Sequence, residues 1–150
     1  MTEILQGLRQ GDDLLRLQLR VPRGFVLEAS QPGSFLFLKP PGAPEMTSVP
    51  ASVMAADVEH ESLWVILKII SAKTKALAAC EDFLEMRGIY RSGLLGKGVA
   101  GILDLHDPGV SVRKRWLILT NGVGFAPAVN LIRWAAGRVD LHVIADPAQV

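Results

Sequence analysis

The chain has 150 residues, 49% hydrophobic and 21% charged, which suits one domain, or one domain with part of a second, and excludes an extended disordered segment. Its 16 Lys and Arg against 15 Asp and Glu leave a formal charge of +1, spread along the chain, so nucleic acid is not an expected partner. The apolar run Leu63-Trp64-Val65-Ile66-Leu67 stops at Lys68, far short of the about 20 residues of a membrane helix, so no membrane partner is expected either.

From Leu14 to about Leu105 short apolar runs alternate with turn residues, the habit of an antiparallel barrel or sandwich. Residues 15–21, LRLQLRV, alternate strictly and predict a strand with one dry and one wet face. Residues 34–39, SFLFLK, form a second strand, entered through Gln31-Pro32-Gly33 and ended by Pro40-Pro41-Gly42-Ala43-Pro44, because proline cannot donate to a ladder. Residues 49–54, 63–70 and 83–87 supply further strands. Residues 73–80 read as a brief helix, with Ser71 or Thr74 near its start as a cap. Residues 88–101 are glycine-rich and read as loop.

At His106-Asp107-Pro108-Gly109 the grammar changes, dividing a first domain over 1–108 from a second over 109–150. A strand over 116–120, a glycine turn, a helix over about 125–136 stopped by Gly137, and a strand over 139–145 make one βαβ unit with parallel strands. In the turn Asn121-Gly122-Val123-Gly124, a strand hands bare backbone N–H groups to a helix start, where aligned peptide dipoles favour an anion. Glycine leaves room for a phosphate and tolerates positive φ, and Pro127 suits the first helical turn. The spacing differs from the Gly-x-Gly-x-x-Gly fingerprint of dinucleotide folds, and a plain tight connection is the competing reading.

A barrel followed by an α/β unit that opens with Gly122-Val123-Gly124-Phe125-Ala126-Pro127 resembles the ferredoxin reductase superfamily. Within it, the chain is most similar to the dihydroorotate dehydrogenase electron-transfer subunit and the sulfhydrogenase gamma chain. Four further stretches carry the likeness, in the family's order. Pro32-Gly33-Ser34-Phe35-Leu36-Phe37-Leu38 is similar to a P-G-x-F-x-x-L strand, and Val49-Pro50-Ala51-Ser52-Val53-Met54 stands where many members have R-P-[YFL]-S. Ser71-Ala72-Lys73-Thr74-Lys75-Ala76-Leu77 matches G-x-x-T-x-x-L, and Arg87-Gly88-Ile89-Tyr90-Arg91-Ser92-Gly93 resembles R-G-P-Y-x-N-G.

The resemblance implies a six-stranded antiparallel Greek-key barrel of the FAD-binding type, followed by a partial α/β (βαβ) nucleotide-binding unit. It implies FAD as cofactor and NAD(P)H as electron donor or acceptor. Pro50, Ala51 and Ser52 would follow the flavin ring, with Val49 also cofactor-binding, and a hydrogen bond from Ser52 would tune the ring. Ser71, Ala72, Lys73 and Thr74 would meet the pyrophosphate, with Lys68 also cofactor-binding. Thr120, Asn121, Gly122, Val123, Gly124 and Pro127 would meet the nicotinamide dinucleotide. No side chain need act as nucleophile or base. Val49 replaces an arginine of the wider superfamily, Ser71-Ala72 a Gly-Pro pair, Ile89 a proline and Ser92 an asparagine.

Family members continue for further βα units, so the second domain is expected to be incomplete, as in a fragment or truncated product. The expected function is flavin-dependent electron transfer between NAD(P)H and an iron-sulfur or dehydrogenase partner subunit. The competing one is a flavin-free barrel serving as an interaction or regulatory module. A homodimer is left open. Cys80 is the sole cysteine, unable to form an internal disulfide or host a cluster, which favours a reducing, cytoplasmic setting; residues 1–11 carry charges where a signal peptide would be apolar. Cys80 reads as a small buried hydrophobe, the three tryptophans as packing residues, Glu59-His60-Glu61 as a solvated turn, and His60, His106 and His142 as ordinary histidines. Asp146 before Pro147 and Tyr90 are weaker candidates for cofactor contact.

Overall fold

The structure is a computed structural model that describes residues 1–11, 13–91 and 115–146, leaving the expected boundary at 106–109 outside the described residues. Six strands, β1 (Thr2–Gln10), β2 (Leu14–Arg20), β3 (Ser34–Lys39), β4 (Val49–Asp57), β5 (Ser62–Lys68) and β6 (Phe83–Arg91), close a barrel in the Greek-key order β1-β2-β5-β4-β3-β6. Every pairing around it is antiparallel. Two short helices, α1 (Arg23–Ala29) and α2 (Ala72–Ala78), each add an apolar residue to the core.

Alternation builds the core, because a strand turns successive side chains to opposite faces. Leu15, Leu17 and Leu19 of β2 point inward, as do Leu36 and Leu38 of β3, Val49, Ala51 and Val53 of β4, and Leu63, Val65 and Leu67 of β5. Val26 of α1 and Leu77 of α2, both fully buried, complete the same cluster. Each leucine buried in this way contributes roughly 1.5–3 kcal/mol, an upper bound because the unfolded chain is itself partly collapsed.

Three departures from the sequence reading have local causes. β1 pairs with β2 and β6, but its outward residues are mostly exposed and Gly7 interrupts the pattern, so its period is weak. α1 has Pro22 as N-cap and buries only Val26 and Ala29, too few for a helical stripe to be visible. β6 runs to Arg91 through residues that composition assigned to loop, because Gly88 adopts φ +65° and the strand continues beyond it. A register shift between Phe35 and Phe37 accompanies this bend, and Tyr90 stacks on Phe35 with ring centroids 5.5 Å apart.

The second unit consists of β7 (Arg115–Asn121), a single 3-10 turn at Gly122–Gly124, the helix α3 (Phe125–Ala135) and β8 (Asp140–Asp146). β7 and β8 pair in parallel, as a βαβ crossover requires. Trp116 of β7 stacks on Trp134 of α3, and Arg138 lies over the Trp134 ring, so these tryptophans pack the unit together. Leu117, Leu119 and Ile144 are exposed. α3 lies against the outside of the barrel, where the fully buried Ala126 meets Leu14 of β2, Ile66 of β5 and Met54 of β4.

A side chain at position 88 would be strained by the positive φ and would also press its Cβ against the Tyr90 ring. Gly88→Ala is therefore expected to destabilise the barrel by about 1–3 kcal/mol and to displace Tyr90 from Phe35, read as a fall in melting temperature together with a changed near-ultraviolet dichroism.

Candidate functional site

The outward face of β4 is the floor of the site. Since Val49, Ala51 and Val53 point into the core, Pro50 and Ser52 must point out, and there they line a cleft of about 380 Å³. Ile66 and Lys68 of β5 continue the floor, and Ser48 and Val49 close one end. Ser71, Lys73 and Thr74 supply a polar wall, while Ile70 and Val123 supply an apolar rim. Eight of the residues expected from sequence thus meet here, from four separate stretches of chain.

The remaining seven lie elsewhere. Ala51 faces the barrel interior at 2% exposure, so only its backbone is available to a ligand. Ala72, Thr120, Asn121, Gly122, Gly124 and Pro127 are outside the cleft lining, and Val123 is the one member of the glycine turn that reaches it.

The start of α2 is built by a reciprocal cap. Ser71 Oγ accepts the Thr74 amide at 3.2 Å, and Thr74 Oγ1 accepts the amides of Ser71 at 2.9 Å and Ile70 at 3.0 Å. Both sequence candidates for the cap are therefore used, Ser71 as N-cap and Thr74 three residues on. This has an electrostatic consequence, since three amides that could face a phosphate are occupied by the protein's own hydroxyls. The amides of Ala72 and Lys73 are not used by the cap. Positive charge at the cleft comes instead from side chains, and these are engaged as well. Lys73 Nζ donates to Met46 O, and Lys68 Nζ lies 3.3 Å from Asp13 Oδ2. An ammonium has three protons, so each lysine keeps donors for a further acceptor.

The Lys73 contact ties α2 to the loop that leads into β4, and an ion-pair network holds the other side of that loop. Lys39 Nζ is 2.8 Å from Glu85 Oε2 and donates to Ala43 O at 2.6 Å, while the Gly42 amide donates to Glu85 Oε1 at 2.7 Å. Arg87 and Lys39 both approach Glu45, at 3.3 and 3.7 Å. The bond from Lys39, then that from Gly42, holds the Glu85 carboxyl below its ordinary range, and Glu85 in turn raises the Lys39 ammonium. These contacts link residues 39–48 to β6, and Ser48 at the end of that stretch lines the cleft. The contacts to Glu85 and Arg87 were not visible in sequence, because their partners lie more than 40 residues away.

At the glycine turn, Gly122 has φ +54°, which explains its identity. Gly124 differs. Its φ is −62°, and an added Cβ would rest 3.7 Å from the nearest atom, Thr120 Oγ1, an ordinary contact. Neither backbone strain nor packing requires glycine there. Among the described residues, Thr120 Oγ1 is buried and finds no hydrogen-bond partner.

The other candidates take ordinary places. Cys80 is half-buried with Sγ 3.5 Å from Ala76 O, and burial pushes its thiol up, away from nucleophilic behaviour. His60 Nδ1 lies 2.9 Å from Asp57 in an exposed turn, and Arg16 covers Trp64. His142 is exposed on β8, and His106 and Pro147 lie outside the described residues. Among the described residues no cluster could hold a metal ion, and no helix is long and apolar enough to cross a membrane.

No family model and no curated protein matches the sequence. Solved structures do match. An NADH-dependent reduced ferredoxin-NADP oxidoreductase, a subject of flavin-based electron bifurcation, is 14% identical with a TM-score of 0.67, over 97% of this chain and 48% of that one. Phthalate dioxygenase reductase, a modular structure for electron transfer from pyridine nucleotides to a 2Fe-2S group, is 15% identical with a TM-score of 0.66, over 99% and 44%. A ferredoxin NADP+ reductase from Neisseria gonorrhoeae, with bound FAD and NADP, is 16% identical with a TM-score of 0.64, over 99% and 58%. The chain thus spans roughly half the length of each. At these identities the likeness is one of fold, and the fold is that of the ferredoxin reductases, as the sequence motifs imply.

The pair Lys39–Glu85 has a defined pH signature. A carboxyl depressed on folding stabilises the protein above its unfolded value, about 4.3 for Glu, and that contribution fades as pH falls through the lower folded value. A raised ammonium stabilises below its unfolded value, about 10.4, and fades as pH rises through the folded one. The difference in melting temperature between the parent and Glu85→Gln is thus expected to be constant from about pH 5 to pH 9 and to shrink in stronger acid.

Proposed function

We propose that the cleft on β4 binds FAD and that the chain mediates electron transfer between NAD(P)H and an iron-sulfur or dehydrogenase partner, in a reducing, cytoplasmic setting. The observation that carries this is the convergence of Pro50, Ser52, Lys68, Lys73 and Val123 on one cleft, in a fold whose solved neighbours include an FAD- and NADP-bound reductase. The donor set suits a phosphorylated aromatic group: apolar walls from Pro50, Ile66, Ile70 and Val123, hydroxyls from Ser48, Ser52 and Ser71, and two ammonium groups. Within the superfamily, the ordered motifs favour the dihydroorotate dehydrogenase electron-transfer subunit and sulfhydrogenase gamma-chain branch.

When bound, FAD would supply hydride acceptance and one-electron release, the chemistry that belongs to the cofactor. The chain's own part is placement. Pro50 and Ile66 offer flat apolar surface, Ser52 Oγ is a donor within the floor, and Lys68 and Lys73 offset phosphate charge without the arginine that Val49 replaces. The turn at Gly122–Gly124 is the proposed nicotinamide dinucleotide contact. Gly124, demanded by neither φ nor packing, supports that role, as does the Thr120 hydroxyl beside it, which has no partner among the described residues. The flavin-free interaction module is the second reading, and the sealing of three amides by the Ser71–Thr74 cap favours it.

The purified chain is expected to be yellow, or to become so on addition of FAD, with the absorption spectrum of bound flavin. A chain that stays colourless in excess FAD supports the second reading instead. Gly124→Ala is expected to leave stability unchanged or raise it by about 0.4–1 kcal/mol, since alanine is compatible with this backbone, while slowing flavin reduction by NADH or NADPH in a stopped-flow assay.

A further inference from the structure

Two contacts one helical turn apart hold α3 against the first unit. Ala126 is the first, a contact without directional preference against Leu14, Ile66 and Met54. Asn130 is the second, and residues four apart share a helix face. Its side chain is almost wholly buried at 4% exposure, and Nδ2 donates one bond to Ala29 O at 3.2 Å and another to Gln31 O at 3.1 Å. Both protons of the amide are thereby spent on carbonyls about 100 residues earlier in the chain.

Those carbonyls lie at and just past the C-terminal end of α1, where helix geometry leaves C=O groups without intrahelical donors. Neighbouring ones are served locally: Leu27 O by Ser30 Oγ at 2.7 Å, and Gln31 O also by Ser34 Oγ at 2.7 Å. Ala29 is fully buried, and its carbonyl takes its donor from the second unit. A buried polar group that loses its partner costs far more than an exposed one, so rotation or sliding of α3 on the barrel is opposed by both bonds at once.

We infer that Asn130 is a positioning residue that registers the α/β unit on the barrel and so fixes the spacing between the Gly122–Gly124 turn and the Pro50–Ser52 floor. Val123 of that turn and Ile66 beneath Ala126 line the same cleft, so a shift of α3 alters the cleft directly. The latch itself needs no flavin. Its effect on reduction rests on the redox reading above.

The test uses substitutions that separate donors from volume. Asn130→Leu keeps the branched shape and loses both donors, Asn130→Ser keeps one hydroxyl donor, and Asn130→Ala, close to serine in size, keeps none. In the 150-residue chain with Cys80→Ala, spin labels at Lys75→Cys on α2 and His142→Cys on β8, both exposed positions, report the distance between the units. The parent is expected to give a single narrow distance, Asn130→Ser an intermediate width, and Asn130→Ala and Asn130→Leu a broad distribution. Circular dichroism confirms that each variant is folded. In flavin-loaded protein the same ranking is expected in the reduction rate, by up to about 100-fold since a displacement of about 1 Å suffices for that, with FAD affinity little changed. Equal, narrow distances in all four, or Leu matching the parent while Ser matches Ala, overturn the assignment. Broadening in the variants of a chain that takes up no FAD upholds the latch and counts against the redox reading alone.

Discussion

In β4 the pleat forces successive side chains to opposite sides of one strand, and most of the molecule follows from how its nine residues divide. Val49, Ala51 and Val53 go inward and help close the barrel core, which leaves Pro50, Ser52 and Met54 facing out. Pro50 and Ser52 become the cleft floor, and Met54 becomes part of the seat for α3. A shift of register by one residue would exchange these sets, exposing the core residues and burying a serine without a partner. The site and the fold are therefore not separable here, since the same backbone constraint produces both.

The electrostatics of the cleft depend on contacts that serve structure first. The amides at the start of α2 are occupied by the Ser71–Thr74 cap, and the ammonium groups of Lys68 and Lys73 each hold a protein oxygen. An anion entering this cleft would share donors with the fold and would not meet an open nest of amides. Val49, in place of which the sequence resemblance would set an arginine, lies at the edge of the core. Affinity in such a site would rest more on apolar and aromatic surface than on charge.

What sequence made legible was what depends on near neighbours. The strict alternation of residues 15–21 and 34–39 shows as strands because inward leucines and outward polar residues repeat at period two. The Ser71–Thr74 pair shows as a cap because its partners are three residues apart. α1 and β1 were obscured, one by a proline cap and a short apolar face, the other by a mostly exposed surface. Pro50 and Ser52 emerged as site residues from a motif resemblance, but the inward turn of Ala51 needed the register of the folded strand. The Lys73 bond to Met46, the Lys39–Glu85 pair and the Asn130 bonds to α1 span 27 to 101 residues of chain. No local pattern announces contacts of that kind.

The parallel pair β7–β8 is covered by α3 on one face, whereas Leu117, Leu119 and Ile144 remain in contact with water. Open sheet of this kind behaves as solvent-averse surface whose attraction for other apolar matter grows in salting-out ions and weakens on cooling. Among the described residues the two strands pair only with each other. Handling of the isolated polypeptide will accordingly be governed by this strip more than by its near-neutral charge: colloidal behaviour should respond to sulfate and temperature, and only slightly to moderate changes in chloride.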